Sequence, residues 1–163
     1  MISKDCTLFI EKLLQKLNKL DVDVSKLQMD HLGYQVSSDQ EYDGLKEEFK
    51  KFGEMVSEKI VGGRRVGIYK FFKPLNFKQY VILAIELVAP KKGQICPSGL
   101  EHAEFVLDES LKSFMRKYPN LSWDTSAINQ PEFPMIKLRL AENMQVKFHL
   151  TPVLEIVKNK NNN

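Results

Sequence analysis

Apolar residues in the first stretch of the chain recur at helical spacing, with Phe9, Ile10, Leu13, Leu14, Leu17 and Leu20 on one stripe and Lys and Gln between them. This predicts an amphipathic N-terminal helix over 5–20 whose apolar stripe the rest of the protein must cover. Its polar face carries acid as well as base and holds no Trp, which fits a docking helix better than a membrane-surface helix. From Gln28 the period shortens towards two. Met29-Asp30-His31-Leu32-Gly33-Tyr34-Gln35-Val36 alternates, and Ser37-Ser38-Asp39 then offers an N-cap for a helix bearing Tyr42, Leu45, Phe49 and Phe52. Glu58 to Val61 and Arg65 to Phe72 read as a hairpin around Gly62-Gly63, since paired glycines supply the positive φ of a tight turn. Val81 to Val88 is a further strand, broken by Ala89-Pro90-Lys91-Lys92-Gly93.

The pattern then begins again. Asp30-His31-Leu32-Gly33-Tyr34-Gln35-Val36 lies over Glu101-His102-Ala103-Glu104-Phe105-Val106-Leu107, each followed by an acidic cap and a helix. The second helix carries Leu111, Phe114, Met115 and Tyr118 and stops at Pro119; Trp123 to Ala127, Met135 to Leu140 and Val146 to Leu150 are the strands expected after it.

Strand parity sorts the polar residues. Leu32, Tyr34 and Val36 share a helix-packing face with Ala103, Phe105 and Leu107 of the second half. The opposite face holds His31, Gly33 and Gln35, together with His102, Glu104 and Val106. In the last strand of the first half, Val81, Leu83, Ile85 and Leu87 are expected on the helix face, with Ile82, Ala84 and Glu86 opposite. Val146, Phe148 and Leu150 leave Lys147 and His149 opposite in the same way. All three histidines of the chain, with Glu86, therefore fall on the face away from the helices. A carboxylate buried there needs a cation or several donors. Two imidazoles and a carboxylate suit Zn, Fe, Mn, Ni or Co, so His31, Glu86 and His102 are the candidate ligands of a divalent metal ion of open identity.

Composition narrows the classes without choosing among them. The 163 residues fit one domain or two small modules sharing a core, and 43% hydrophobic with 28% charged residues is ordinary for a globular protein. The 24 basic residues are interleaved with 21 acidic ones, which argues against a nucleic-acid partner. No apolar run approaches a membrane span, and Cys6 and Cys96 form neither a CxxC pattern nor a disulfide framework, so a cytoplasmic protein is expected.

Asp30-His31, Gly63-Arg64 with Tyr69-Lys70-Phe71, Ile85-Glu86-Leu87, Gly99-Leu100-Glu101-His102 and Lys147-Phe148-His149 together resemble the YecM-type family of candidate metal-binding proteins. That family looks like part of the vicinal oxygen chelate superfamily of glyoxalases and extradiol dioxygenases. Glu155-Ile156-Val157 and the leading helix extend the likeness. The resemblance implies an α+β fold of tandem βαβββ modules, with a curved, mostly antiparallel sheet around a metal cleft and helices outside. On this reading 1–157 is one domain, with modules at 28–93 and 99–157 and a disordered tail at 158–163. Where the superfamily often has a carboxylate on the final strand, this chain has His149, the expected fourth ligand, with Glu155 a few residues beyond.

A metal-dependent isomerase, lyase or dioxygenase acting on a small oxygenated substrate is one expectation; a non-catalytic protein that captures a metal or small anion is the other. Either is expected to work as a monomer or homodimer. Glu104 is the candidate general base or a partner that orients an imidazole. Arg64 and Arg65 are candidates to grip a substrate carboxylate or phosphate, or are simply solvated; Lys137, Arg139 and Lys147 would add positive charge to the cleft.

Overall fold

The computed structural model describes residues 2–161, and side chains from 4 to 160. Its elements are α1 (Ile2–Lys19), β1 (Gln28–Gln35), α2 (Asp39–Phe49), β2 (Gly53–Val61), β3 (Arg64–Phe77), β4 (Tyr80–Val88), β5 (Gly99–Val106), α3 (Leu111–Lys117), β6 (Met135–Ala141), β7 (Met144–His149) and α4 (Val153–Asn161). The seven strands form one open sheet in the order β2-β3-β4-β1-β5-β7-β6. β1 runs parallel to β4 and β5 parallel to β7, while β1 and β5 pair antiparallel at the centre. Each half thus places its first strand at the central seam and its last strand beside it, as the sequence repeat requires.

One face of the sheet is covered by helices. Ile10, Leu13 and Leu17 of α1 share the main core with Leu32, Ile85, Leu87, Phe105 and Phe148. Phe114 of α3 stacks on Phe148 with ring centroids 4.7 Å apart. Ser38 caps α2 by accepting from the Glu41 amide, so the predicted N-cap cluster does start that helix. A smaller apolar cluster of Val66, Ile68, Ala84, Val88 and Val153 lies on the opposite face, where the cleft opens.

Four segments differ from expectation. Trp123 to Ala127 contributes only an isolated bridge from Asp124 to Lys137. Asp124 instead accepts the Ser126 amide at 2.9 Å, which closes an Asx turn and takes the segment out of the ladder. β2 begins at Gly53, ahead of the expected Glu58, because it pairs from Gly53 to Val61 with Phe71 to Arg64 of β3 despite poor strand formers. In β4 the parity reverses near Leu83: Val81 and Leu83 are exposed and Ile82 is in the main core. There the β3–β4 register jumps, with Lys70 opposite Ala84 but Leu75 opposite Ile82, so β3 carries extra residues, among them Pro74, across a bulge. Ala84 and Glu86 lie beyond the jump and keep the expected face. Finally, Lys158 to Asn161 form the last turn of α4 where a frayed tail was expected; the rest of that tail lies outside the described residues.

Candidate metal centre

The cleft has a volume of about 370 Å³, and His31, Glu86, Glu104 and Lys147 are among the residues that line it. His31 comes from β1, Glu86 from β4, and His102 and Glu104 from β5, so the four chains of atoms meet where the two halves pair. Each of these residues offers one donor atom, and the four donors lie within 4.8 Å of one another. His31, His102 and Glu104 are almost wholly buried, and Glu86 is partly exposed.

Two β-bulges orient the imidazoles. In the β1–β5 ladder Met29 faces Phe105 and His31 faces Glu104, which leaves Asp30 as the extra residue. Further along, Gly33 faces His102 and Tyr34 faces Leu100, which leaves Glu101 as the extra residue of the other strand. A bulge re-aims its side chain, so each acid turns back onto the histidine that follows it. His31 Nδ1 lies 2.8 Å from Asp30 Oδ2, and His102 Nδ1 lies 2.7 Å from Glu101 Oε2. Both rings donate from Nδ1 and present Nε2 to the cleft, the arrangement by which carboxylates fix the tautomer of metal-binding histidines. Gly33 makes room for the second ring, because a Cβ there would sit 2.0 Å from His102 Cε1.

The Nε2 atoms then meet carboxylate oxygens without the angles of a hydrogen bond. His102 Nε2 is 3.2 Å from Glu86 Oε2 and 3.3 Å from Glu104 Oε1, and His31 Nε2 is 3.5 Å from Glu104 Oε1. Four ligands arranged tetrahedrally about 2.1 Å from an ion lie about 3.4 Å from one another. The donor set and its spacing therefore fit a divalent ion.

Lys147 complicates the centre. Its position on β7 is related to that of Glu86 on β4 by the repeat, since Glu86 lies two residues beyond the partner of His31 and Lys147 two beyond the partner of His102. Its ammonium donates to His102 Nε2 at 3.1 Å and to Glu104 Oε1 at 2.8 Å. An ammonium can only donate, so this contact needs the lone pair of His102 Nε2, and protonation of that nitrogen would break it.

Charge is dense enough to move the pKa of each of the four donors. Burial pushes His31 down, but Glu104 and Asp30 outweigh it and hold the ring up at about 10. For His102, burial and Lys147 oppose protonation while Glu101, Glu104 and Glu86 raise it to about 9. Burial raises Glu86 and Asp30, yet their basic neighbours bring both down to about 2. The carboxylates are ionised at neutral pH and need compensating positive charge.

Of the other expected site residues, Arg64 reaches the cleft and Arg65 does not. Adjacent strand residues point to opposite faces, so only one of the pair can serve the cleft. Arg65 crosses to α2, where it pairs with Asp39 at 2.9 Å and Asp43 at 2.7 Å and lies 4.3 Å from the Tyr42 ring centroid. Arg65, expected to grip substrate beside Arg64, therefore does not line this cleft. Arg64 donates to Gln35 Oε1 at 3.1 Å, while the Gln35 amide nitrogen is fixed on the carbonyls of Val36 and Val88. Lys137 lines the cleft beside its partner Asp124, whereas Arg139 turns away to the Glu142 carbonyl. His149 lies outside the four-donor group, although Glu104 Oε2 is 3.3 Å from its Nε2. Glu155 is exposed in the first turn of α4.

A family model described as YecM protein matches residues 1–160. The chain belongs to the YecM family. A protein of Haemophilus influenzae described as uncharacterized is 29% identical over 119 residues, which are 73% of this chain and 62% of that relative. The match therefore spans less than two thirds of the relative's length. A solved structure named Protein EC4020 aligns over 98% of this chain and 91% of its own, with TM-score 0.79 and 22% identity. Methylmalonyl-CoA epimerase of Streptomyces coelicolor, solved with 2-nitronate-propionyl-CoA, aligns over 76% of this chain and 96% of its own, with TM-score 0.57 and 11% identity. These likenesses establish the vicinal oxygen chelate type of fold. Among the described residues no helix is long and apolar enough to cross a membrane.

Proposed function

We propose that the protein is a divalent-metal-dependent enzyme acting on a small, oxygenated, anionic substrate, with His31, Glu86, His102 and Glu104 holding the ion. The observation that carries this reading is the pair of bulged acids, Asp30 and Glu101, each fixing a histidine so that Nε2 faces the cleft carboxylates. A purely structural histidine does not call for the same device on both sides of a seam. When bound, the ion supplies Lewis acidity to substrate oxygens. Arg64, held by Gln35 beside the cleft, offers two parallel donors to a substrate carboxylate or phosphate. The Lys147 ammonium balances Glu104 and adds positive charge beside the donors. The epimerase neighbour holds a nitronate, a planar oxyanion, which supports a substrate of comparable chemistry for this type of fold.

Elemental analysis of natively purified protein tests the reading. Near-stoichiometric divalent metal is expected, reduced at least tenfold in His31→Ala and His102→Ala. Substoichiometric metal, unchanged in both variants, overturns it. In a cobalt-substituted sample, exchangeable water on the ion favours an enzyme over a protein that only sequesters metal.

One observation favours a second reading. Lys147 already supplies a cation to Glu104 Oε1 and a donor to His102 Nε2 without metal, and Arg64 and Lys147 could together bind a small anion. Tight anion binding by metal-stripped protein, unchanged on adding metal, selects it.

A further inference from the structure

The four-donor group leaves part of the buried polar surface unused. Glu104 turns Oε1 towards His31, His102 and Lys147, and Oε2 in another direction. Among the described residues, that Oε2 has no hydrogen-bond partner, nor does either ring nitrogen of His149. His149 is 0% exposed, with the Phe133 ring centroid 4.5 Å from its own. Burying polar groups unsatisfied is costly, so Glu104 Oε2 and the neighbouring His149 Nε2 ask for a ligand. His149 Nε2 lies 3.3 Å from Glu104 Oε2 and 3.4 Å from Asp30 Oδ2, without the angles of a hydrogen bond to either. These separations repeat those of the first group. Asp30, His31 and His149 also offer donors within 4.8 Å of one another, a group that meets Glu104 through the 3.3 Å contact of His149.

We propose that His149, Asp30 and Oε2 of Glu104 hold a second divalent cation, bridged to the first through the Glu104 carboxylate. This rests on the first site being a metal site. Bridging carboxylates hold paired ions about 3.5–4 Å apart, and a mixed nitrogen and oxygen donor set suits Mn, Fe, Co or Zn. Asp30 Oδ2 already accepts from His31 Nδ1 and the Val153 amide, but a carboxylate offers about four lone-pair sites, which leaves room for a cation. Charge points the same way. The carboxylates of Asp30, Glu86, Glu101 and Glu104 lie in or beside the two donor groups, and Lys147 is the ammonium bonded to Glu104 among them.

The test is a calorimetric titration of metal-stripped full-length chain with Mn²⁺, with electron paramagnetic resonance of the loaded samples. The wild type is expected to bind two equivalents and give an exchange-coupled signal. His149→Phe, which keeps a ring against Phe133, should bind one equivalent with an uncoupled six-line signal. Glu86→Gln should weaken the first ion at least tenfold. One equivalent in the wild type, uncoupled and unchanged by His149→Phe, overturns the second site and leaves the first standing. One equivalent lost in His149→Phe but kept in Glu86→Gln overturns both assignments, as does the absence of binding. The wild-type spectrum decides the matter even if a variant fails to fold.

Discussion

Adding one methyl group at Gly33 should damage the centre without touching any donor. A Cβ at that position would lie 2.0 Å from His102 Cε1, 2.1 Å from Nε2 and 2.4 Å from Nδ1. Ordinary contact begins near 3.4 Å, so the ring of Gly33→Ala must swing away. It then loses the bond to Glu101 at 2.7 Å and the one from Lys147 at 3.1 Å. Overpacking a filled interior costs about 1–3 kcal/mol, and losing a charge-assisted hydrogen bond about 1.5–3 kcal/mol. A total of about 3–5 kcal/mol is expected against a global stability of about 5–15 kcal/mol, so the variant folds but melts early. Divalent-ion affinity should fall at least tenfold, as when an imidazole loses its orienting partner. Urea denaturation and calorimetric titration read both effects. The control is the same substitution in a His102→Ala background, where the added methyl meets open space and should cost less than about 1 kcal/mol. Equal costs in the two backgrounds, or unchanged ion affinity in Gly33→Ala, would refute the placement of His102 against Gly33.

Other outcomes follow from the same geometry. Asp30→Asn and Glu101→Gln should each weaken binding of the ion at His31 and His102 about 10- to 100-fold in titrations without abolishing it, since they orient those rings. Arg65→Met should lower stability by about 1 kcal/mol in denaturant melts, through loss of the Asp39 and Asp43 pairs and the Tyr42 contact, and leave ion affinity unchanged. In metal-free protein the His31 contribution is intact below its unfolded pKa near 6.5 and should fade as pH rises through about 10. The Asp30 and Glu86 contributions are intact above their unfolded values near 4 and should fade as pH falls towards about 2, so melts across pH should show losses at both ends.

The sequence reading and the molecule part company where backbone irregularity intervenes. His31, Glu86 and His102 share a face because strand alternation holds through Leu32–Tyr34, Ile85–Leu87 and Ala103–Phe105. The repeated acid before each histidine was visible in the chain, but alternation assigns neighbours to opposite faces, which hid the contact each acid makes. Only the bulges at Asp30 and Glu101 bring them together, and those depend on pairing between strands far apart in sequence. The jump opposite Leu83 misled the reading of Ile82 for the same reason. Glu104 was legible as a residue of the cleft face; its location between three imidazoles and Lys147 depends on how the two halves meet. Alternation should have separated Arg64 from Arg65, since the rule applied to the histidines applies to them as well.

The central claim is that Nε2 of His31 and Nε2 of His102 converge on a divalent ion. Anomalous diffraction from crystals of the full chain grown with Mn²⁺ or Zn²⁺ tests it most directly. A peak is expected about 2.0–2.2 Å from both nitrogens, with Glu86 and Glu104 oxygens completing the set and the Lys147 ammonium displaced from His102. No peak at that position, with Lys147 still bonded to His102 Nε2 at saturating metal, would contradict it.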